Sequence, residues 1–365
     1  MKILTRYVFR EFCVPLFYCL TGFLSIYLLF ELFGSFSRLM SAKPGFGVAC
    51  QYLAGYLAPY FEWMAPACLM LATLYTMWSF CRHSELIAMR ASGIGFFTIV
   101  KPLLFGATLM AICVGMVNEL YVPRYGQWAK LFKSAHFNAA EMERTGDLVY
   151  HNPQGNRTWR IGMTVTEDAH VLEDVAISVN TSLGVREMTV KSARAEYLDG
   201  IWFLMHPEVA YFNEHGEEMA SPTPELENLS LRPFPQFTER PEDILLQSRD
   251  WNFCSTAERL RFLKVHSSLT PQARRDRTYD LWAHIVAPFA CIVITLFAIP
   301  AGIATGRQSV FKGILGALGL FFSFYGLTIL CMALSRWGIL PPIIAAFLPD
   351  TIFFLIGLRL FWRQR

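Results

Sequence analysis

The fold is decided by hydrophobic stretches such as residues 281–303, which read LWAHIVAPFACIVITLFAIPAGI. This stretch contains no Asp, Glu, Lys or Arg, and as an α-helix it is long enough to cross the roughly 30 Å hydrocarbon core of a bilayer. Five further hydrophobic stretches lie at 13–33, 58–80, 99–117, 314–334 and 339–361. The sequence therefore predicts an α-helical membrane protein with six transmembrane helices in two groups of three.

A soluble domain is predicted between the two groups of helices. Charged residues make up only 17% of the chain, well below the roughly one quarter of a typical soluble protein, but they are unevenly distributed. Of the 29 acidic residues, 23 lie between Tyr121 and Asp280. We therefore expect residues 1–120 to hold the first three helices, residues 121–279 to form the inserted domain, and residues 280–365 to hold the last three helices.

The inserted domain is predicted to be all-β, with a sandwich or jelly-roll fold. Segments 158–165, 170–179 and 187–198 alternate apolar and polar residues and are rich in β-formers. Asp199-Gly200 between two such segments is a strong hairpin signal, and further strands are predicted at 201–205 and 208–212, with a turn near 214–216. One helix is predicted at 255–266, since Ser255 and Glu258 have capping-box spacing. A polar stretch at 267–277 is expected to lead back to the membrane.

Lys and Arg in the short loops predict the orientation in the membrane. With both termini in the cytoplasm, eleven of these residues lie in cytoplasmic segments, and three, Arg38, Lys43 and Arg336, lie in the short outer loops. The inserted domain is then outside, which in a bacterium is the periplasm. The start of the chain, MKILTRYVFREF, has the charge of a signal peptide, but the long apolar stretch after it lacks a small-residue cleavage site. We therefore expect it to remain as the first transmembrane helix.

Several classes of function lack their sequence motifs. The chain has no GxxxxGK[ST], HExxH, GxSxG or EF-hand motif, and no basic cluster typical of nucleic-acid binding. Cys254 is the only cysteine of the inserted domain, so an internal disulfide is excluded there, and a cysteine-based metal site is not expected. His284 near the outer end of the fourth helix has two readings, a proton relay or a histidine bonded to a neighbouring helix or to interfacial water.

The most informative loop joins the second and third helices and reads RHSELIAMRASG at residues 82–93. Ser84 can cap a short helix over residues 84–92, Gly93 can end it, and Glu85 in its first turn favours the helix dipole. The helix is partly apolar and lies beside water, so it needs a surface on which to bury that face. It either lies on the lipid surface or docks in a groove of a cytoplasmic partner. Glu85 favours docking, because anionic lipid would repel its carboxylate.

Residues 84–93, SELIAMRASG, resemble the S-E-L-x-x-M-x-A-S-G signature of the LptF/LptG (YjgP/YjgQ) family of lipopolysaccharide export permeases. The resemblance extends over the whole chain, since the family also has three spans, a periplasmic β insert and three more spans. Residues 192–204, SARAEYLDGIWFL, are similar to the family's insert, and Asn118-Glu119 with Pro123 beyond resembles the end of its third span. Residues 338–349, GILPPIIAAFLP, look more like LptG than LptF.

This resemblance implies a transport subunit rather than an enzyme. In the family, one LptF and one LptG form the membrane part of an ABC transporter, and an LptB-like ATPase dimer docks on their coupling helices. ATP and Mg would then be bound by the ATPase, and no cofactor by this chain. Lipopolysaccharide would enter from the outer leaflet of the inner membrane and pass through periplasmic β-jellyroll domains to LptC-like and LptA-like bridge proteins. The residues implied in ATPase coupling are Ser84, Glu85, Leu86, Ile87, Met89 and Arg90.

The substrate, a phosphorylated and multiply acylated lipid, needs cations at headgroup level and an apolar cavity. Arg38 and Lys43 just outside the first span could bind the lipid phosphates, or they could anchor the helix at the interface. Some aromatic residues of the first and fifth spans are expected to line the acyl cavity, as those helices do in the family: Phe30, Phe33, Phe321 and Phe324.

Acidic residues beside the spans leave other readings open. Glu31 and Glu62 either reach the interface or pair with Arg38 across the helix ends, and the role of Glu119 does not follow from the sequence. A stand-alone membrane enzyme acting on envelope lipids would need clustered catalytic side chains at a span end. A secondary transporter would need paired broken spans with midplane charges. The sequence offers neither pattern clearly, so both remain alternatives to the ATPase-driven permease.

Overall fold

The structure is a computed structural model that describes residues 2–42, 45–137, 148–152, 155–162, 171–181, 185–213, 218–219, 230–248, 250–265, 269–305 and 310–363. The chain divides into a helical unit and a β unit. The helical unit comprises Met1–Phe132, Asn252–Arg259 and Thr270–Arg365. The β unit comprises Lys133–Trp251 and Leu260–Leu269, and it is shorter than the predicted insert of 121–279 because helices extend past both predicted boundaries.

The described α-helices are α1 (Lys2–Ala42), α2 (Phe46–Leu57), α3 (Phe61–Arg82), α4 (Glu85–Ala91), α5 (Phe96–Met116), α6 (Gln127–Phe137), α7 (Pro241–Ser248), α8 (Thr256–Val265), α9 (Pro271–Thr305), α10 (Val310–Arg336) and α11 (Pro342–Arg363). Short 3₁₀ helices lie at Ala58–Tyr60 and Trp251–Phe253, and a π-helix lies at Val117–Gly126.

Six helical segments are long and apolar enough to cross a membrane, as the sequence predicts. They are Ile3–Ser35, Phe46–Arg82, Phe96–Lys130, Pro271–Ile303, Leu318–Arg336 and Pro342–Trp362. The antiparallel sheet lies between the third and fourth of these segments in sequence, so the predicted architecture of a helical membrane protein with an inserted β domain is confirmed.

Two helices begin earlier than their predicted spans. The second candidate span starts at Phe46 rather than at residue 58, because α2 joins α3 through the 3₁₀ turn around Pro59. The fourth starts at Pro271 rather than at residue 281, so the predicted polar stretch of 267–277 is in part the first turns of α9. For α9, hydropathy locates only the apolar part of the helix, and the charged residues at its start continue the same helix before that part.

The third span also continues past its predicted end at residue 117. After α5 the chain forms the π-helix Val117–Gly126 and then α6. Pro123 lies inside the π-helix, where its missing N–H cannot complete a regular hydrogen-bond ladder. Short π-helical stretches are frequent at functional sites, so the residues of this π-helix are candidates for a functional role.

The core of the helical unit is formed where α1, α3, α5 and α9 meet. Phe12, Leu69, Ile99 and Leu103 are fully buried there. Gly106 of α5 lets the Phe12 ring approach closely, since a Cβ at this position would lie 2.6 Å from the Phe12 Cε1 atom. The pairing of small and large residues brings α1 and α5 into direct contact.

All strand pairs in the β unit are antiparallel. The strands are β1 (Leu148–Asn152), β2 (Arg157–Ile161), β3 (Val171–Asn180), β4 (Arg186–Leu198), β5 (Ile201–Met205), β6 (Glu208–Phe212), β7 (Glu218–Met219) and β8 (Leu231–Phe234). Their order is β1-β2-β3-β4-β5-β8, and β6 pairs with both β4 and β7. The long strand β4 thus pairs with β3 on one edge and with β6 and β5 in succession on the other.

The predicted hairpin turn at Asp199-Gly200 is confirmed. Both residues have positive φ, 50° and 86°, as a two-residue type I′ turn requires, and Leu198 pairs with Ile201 across it. The core beside this hairpin contains Trp159 and Trp202, whose ring centroids are 5.0 Å apart. The predicted turn near 214–216 and the predicted strand residues 163–165 and 170 lie outside the described residues.

Candidate functional site

The predicted short helix between the second and third spans is present as α4, but it begins differently from the prediction. Ser84 has left-handed backbone angles, φ 56° and ψ 13°, and its side chain makes no capping hydrogen bond. Its backbone carbonyl accepts a hydrogen bond from the Ala88 N–H at 3.0 Å. The prediction of a Ser84 side-chain cap is therefore wrong, since a serine hydroxyl caps from extended backbone angles.

The end of α4 follows the prediction. Gly93 has a φ of 80°, which suits glycine, and its N–H donates to the Arg90 carbonyl at 3.0 Å. The N–H of Ile94 donates to the Met89 carbonyl at 3.2 Å. These two bonds form a Schellman motif, so the chain leaves α4 in a fixed direction toward α5.

The predicted ATPase-coupling residues divide between two faces of α4. Leu86 and Met89 are 6% and 9% exposed and pack in a core cluster with residues of α1, α3 and α5. Ser84 and Arg90 are exposed, and Ile87 is 55% exposed. Leu86 and Met89 therefore hold α4 on the helical unit, and the other face of α4 is exposed.

Glu85 lies between these two faces and is half-buried. Its Oε2 atom accepts a hydrogen bond of 2.9 Å from the hydroxyl of Tyr7 on α1. The Tyr7 ring stacks on Phe80 of α3, with centroids 6.1 Å apart. The first residue of α4 is thus connected to both α1 and α3.

A second group of polar side chains lies at the other end of α3. We call it the polar junction and define it by Glu62 of α3, Asn118 and Glu119 of the π-helix, Thr256 of α8 and His284 of α9. The Asn118 amide donates to the Glu62 Oε2 atom at 2.7 Å. Asn118 is 3% exposed and His284 is 8% exposed, so much of this group is removed from solvent.

Glu119 binds the start of α8. Its Oε2 atom accepts a hydrogen bond of 3.1 Å from the Thr256 N–H, and its Oε1 atom accepts one from the Thr256 hydroxyl. His284 lies between the two carboxylates, with Nε2 at 3.5 Å from Glu119 Oε1 and Nδ1 at 4.0 Å from Glu62 Oε2. Of the two readings of His284, this geometry favours a histidine that contacts neighbouring helices.

Further contacts fix α8 beside the junction. The predicted capping box is confirmed, because the Ser255 N–H donates to Glu258 Oε2 at 2.9 Å and the Glu258 N–H donates to Ser255 Oγ at 3.3 Å. Arg259 is 5% exposed and donates to the carbonyls of Cys254 at 2.9 Å and Asp280 at 3.1 Å. Burial lowers the pKa of its guanidinium from the ordinary value.

Sequence reasoning did not single out Thr256 or Arg259. Both lie in a polar helix outside the spans, where an arginine or a threonine is ordinarily exposed. No local pattern marks them, because Thr256 contacts Glu119 of the third span and Arg259 contacts Asp280 of the fourth. The sequence did single out Glu62, Glu119 and His284 of the junction, but not that they lie together.

Glu31 is buried rather than interfacial. It is 7% exposed, and its Oε1 atom accepts hydrogen bonds from the Tyr52 hydroxyl at 2.6 Å and the Ser35 hydroxyl at 2.8 Å. The expectation that Glu31 simply reaches the interface is therefore wrong, whereas its pairing with Arg38 concerns a side chain outside the described residues. Glu31 is buried because α2 extends back to Phe46 and places Tyr52 beside α1. Glu62 is likewise bound, by Asn118.

The predicted substrate residues are only partly described. Lys43 lies outside the described residues, and Arg38 lies in α1 within a part whose side chains are not described. Phe30 and Phe33 are 81% and 85% exposed on α1.

The two aromatic residues predicted on the fifth span, which is α10, differ in burial. Phe321 is partly buried, whereas Phe324 is 3% exposed and its ring contacts Phe353 with centroids 5.3 Å apart. Phe324 is therefore a core residue of this chain rather than part of an open surface.

Within the described ranges, no group of three or more His, Cys, Asp or Glu side chains is arranged to hold a metal ion. The polar junction fits this finding, because its carboxylates are bound by amide, hydroxyl and backbone N–H donors. The contacts of the polar junction join α3, the π-helix, the start of α8 and α9 to one another.

Comparison with known proteins identifies the family. A search of curated protein sequences returned no match. A family model described as lipopolysaccharide export system permease LptF/LptG matches residues 6–363. With its six candidate spans, the chain is a multi-pass membrane protein, and it belongs to the LptF/LptG family of lipopolysaccharide export permeases.

Proposed function

We propose that this chain is the permease subunit of an ABC transporter that extracts lipopolysaccharide from the bacterial inner membrane and passes it to a periplasmic bridge toward the outer membrane. The geometry of α4 is the observation that carries this proposal. One face of α4 is packed on the helical unit, and the other presents Ile87 and Arg90 beside Glu85. A short helix fixed on one side and exposed on the other can transmit force from a docked partner.

The partner at α4 is an LptB-like ATPase dimer in the cytoplasm. The chain has no P-loop motif, so the energy of ATP has to enter through another protein. Glu85 supplies a carboxylate for a basic residue in the ATPase groove, a charge-assisted contact that arginine makes well. ATP and Mg are then bound by the ATPase, and this chain has no catalytic role.

The remaining partners follow from the same assembly. A paralogous permease, LptF or LptG, forms the other half of the membrane part, and this chain takes the LptG position because of residues 338–349. Both termini and α4 face the cytoplasm, and the β unit lies in the periplasm, where LptC-like and LptA-like proteins receive the lipid. The positive bias of the predicted inner loops supports this orientation.

The docking proposal is tested by affinity purification of the tagged full-length chain from its native membrane, followed by mass spectrometry. We expect an ATPase and a paralogous permease to be recovered with it. Glu85→Ala is expected to weaken ATPase binding at least about tenfold, because it leaves the partner's basic group unpaired. Glu11→Ala, which removes an exposed acid of α1, is the matched control and should leave ATPase binding unchanged. Recovery of the chain alone, with normal lipid export by Glu85→Ala, contradicts the proposal.

We further propose that Arg38 and Lys43 bind the phosphates of the lipid. Reversal of both charges to Glu is expected to reduce cross-linking of lipopolysaccharide to the first span, because like charges repel. Arg336→Glu is the matched control, since Arg336 is the third basic residue of the predicted outer loops. Unchanged cross-linking in the Arg38→Glu/Lys43→Glu variant would leave these residues as interfacial anchors.

A further inference from the structure

We propose that Tyr7 is a positioning residue for Glu85, and that its hydroxyl links the docking helix α4 to the first span so that the two move together. The inference rests on the proposed docking of an ATPase at α4. It names a residue outside the family signature at 84–93, and the contact that carries it is the 2.9 Å hydrogen bond from Tyr7 to Glu85 Oε2.

Apolar packing alone does not fix how α4 presents Glu85. The helix has seven residues and is too short to keep its structure without packing. Leu86 and Met89 supply that packing, but they do not fix the direction of the Glu85 side chain, because apolar contacts are not directional. A hydrogen bond is directional, so the bond from the Tyr7 hydroxyl fixes the direction of the Glu85 carboxylate relative to α1.

Tyr7 is held in place by packing against neighbouring helices. Its ring stacks on Phe80, and the next residue of α1, Val8, is fully buried in the same core cluster as Leu86. A tyrosine has few rotatable bonds, so ordering it costs less side-chain entropy than ordering a lysine or an arginine. Tyr7 is therefore a stiff connection between α1 and α4.

Glu85 can accept the hydrogen bond from Tyr7 and bind a docked ATPase at the same time. An ionised carboxylate has two oxygen atoms and can accept several hydrogen bonds. Tyr7 uses one lone pair of Oε2, so Glu85 can accept from a basic residue of the partner at the same time. The Tyr7 hydroxyl orients the carboxylate before the partner arrives, and a displacement of α4 by the docked partner is then transmitted to α1 through the same hydrogen bond.

The test uses the full-length chain in the purified complex with its ATPase and paralogous permease. Tyr7→Phe removes only the hydroxyl and keeps the ring on Phe80. We expect it to weaken ATPase binding about two- to tenfold and to lower the amount of lipid exported per ATP hydrolysed. Tyr18→Phe, at a 69% exposed tyrosine of the same helix, is the matched control and should leave both quantities unchanged.

A double-mutant cycle separates positioning from a general structural role. If Tyr7 acts through Glu85, Tyr7→Phe has no further effect on binding in the Glu85→Ala background. Independent effects of the two substitutions, or a Tyr7→Phe variant that behaves as wild type, overturn the inference and leave the docking proposal standing. If Glu85→Ala itself leaves the complex intact, the docking proposal fails and Tyr7 has no residue to position.

Discussion

The two ends of α3 carry polar contacts of opposite character. At its last turn, Glu85 of the adjoining α4 is half-buried and accepts one hydrogen bond from Tyr7. At its first turn, Glu62 is also half-buried, but its partners in the polar junction, Asn118 and His284, are almost fully buried. The two ends are separated by a helix of 22 residues, which is roughly 30 Å long.

This difference indicates different tasks. A partly exposed hydrogen bond can exchange with water or gain a second donor at little cost, which suits a contact that a partner must reach. A buried network loses more when it is opened, because each donor or acceptor then lacks both water and its partner. We therefore expect the polar junction to stay closed and to hold α3, α8 and α9 together, and the α4 end to respond to binding.

The largest effect on stability is expected at the polar junction. Asn118→Leu leaves the Glu62 carboxylate without its amide donor in a buried site and is expected to lower the free energy of unfolding by about 1.5–3 kcal/mol. Unfolding in mixed detergent micelles with increasing SDS measures this change. Combining it with Glu62→Leu replaces both partners by apolar groups and should recover much of the loss. Equal destabilisation by the single and double variants would show that the hydrogen bond is not the cause.

A smaller and more local effect is expected at the start of α8. Thr256→Val keeps the size of the side chain but removes the hydroxyl that donates to Glu119, and it should cost about 1.5 kcal/mol. Amide hydrogen exchange should become faster in α8 because its first turn is held less firmly. Thr108→Val is the control, since the Thr108 hydroxyl is exposed and donates only to its own helix. If the amide hydrogens of α8 exchange at the same rate in both variants, the contact with Glu119 does not hold α8.

The smallest effects are expected at the α4 end, where the backbone sets the helix bounds. Gly93→Ala places a Cβ at a φ of 80° and should destabilise α4 by about 1 kcal/mol, although no neighbouring atom lies within 4 Å of that Cβ. Ser84→Gly relieves the left-handed angles of Ser84 and should stabilise α4 by about 0.5 kcal/mol. Hydrogen exchange at α4 amides measures both, and shifts of the same sign would contradict the backbone explanation.

Features that depend on neighbouring residues could be predicted from the amino-acid order alone. Six apolar stretches gave the spans, the Asp199-Gly200 pair gave the hairpin, and Gly93 gave the end of α4. The capping box at Ser255 and Glu258 belongs to the same class. In each case the pattern lies in residues that are close in sequence: an apolar stretch of sufficient length partitions into lipid as one helix, and a hairpin turn or a helix end is closed by hydrogen bonds between neighbouring residues.

Which polar side chains meet depends on how the helices pack, and the sequence did not predict it. Tyr7 and Glu85 are 78 residues apart, Glu62 and Asn118 are 56 apart, and Glu119 and Thr256 are 137 apart. Hydropathy marked the acidic residues as unusual in or beside spans, but it contains no information about partners contributed by other helices. Helix packing brings those donors within reach of the carboxylates, and the burial of Asn118 at the polar junction makes Glu62 depend on its partner.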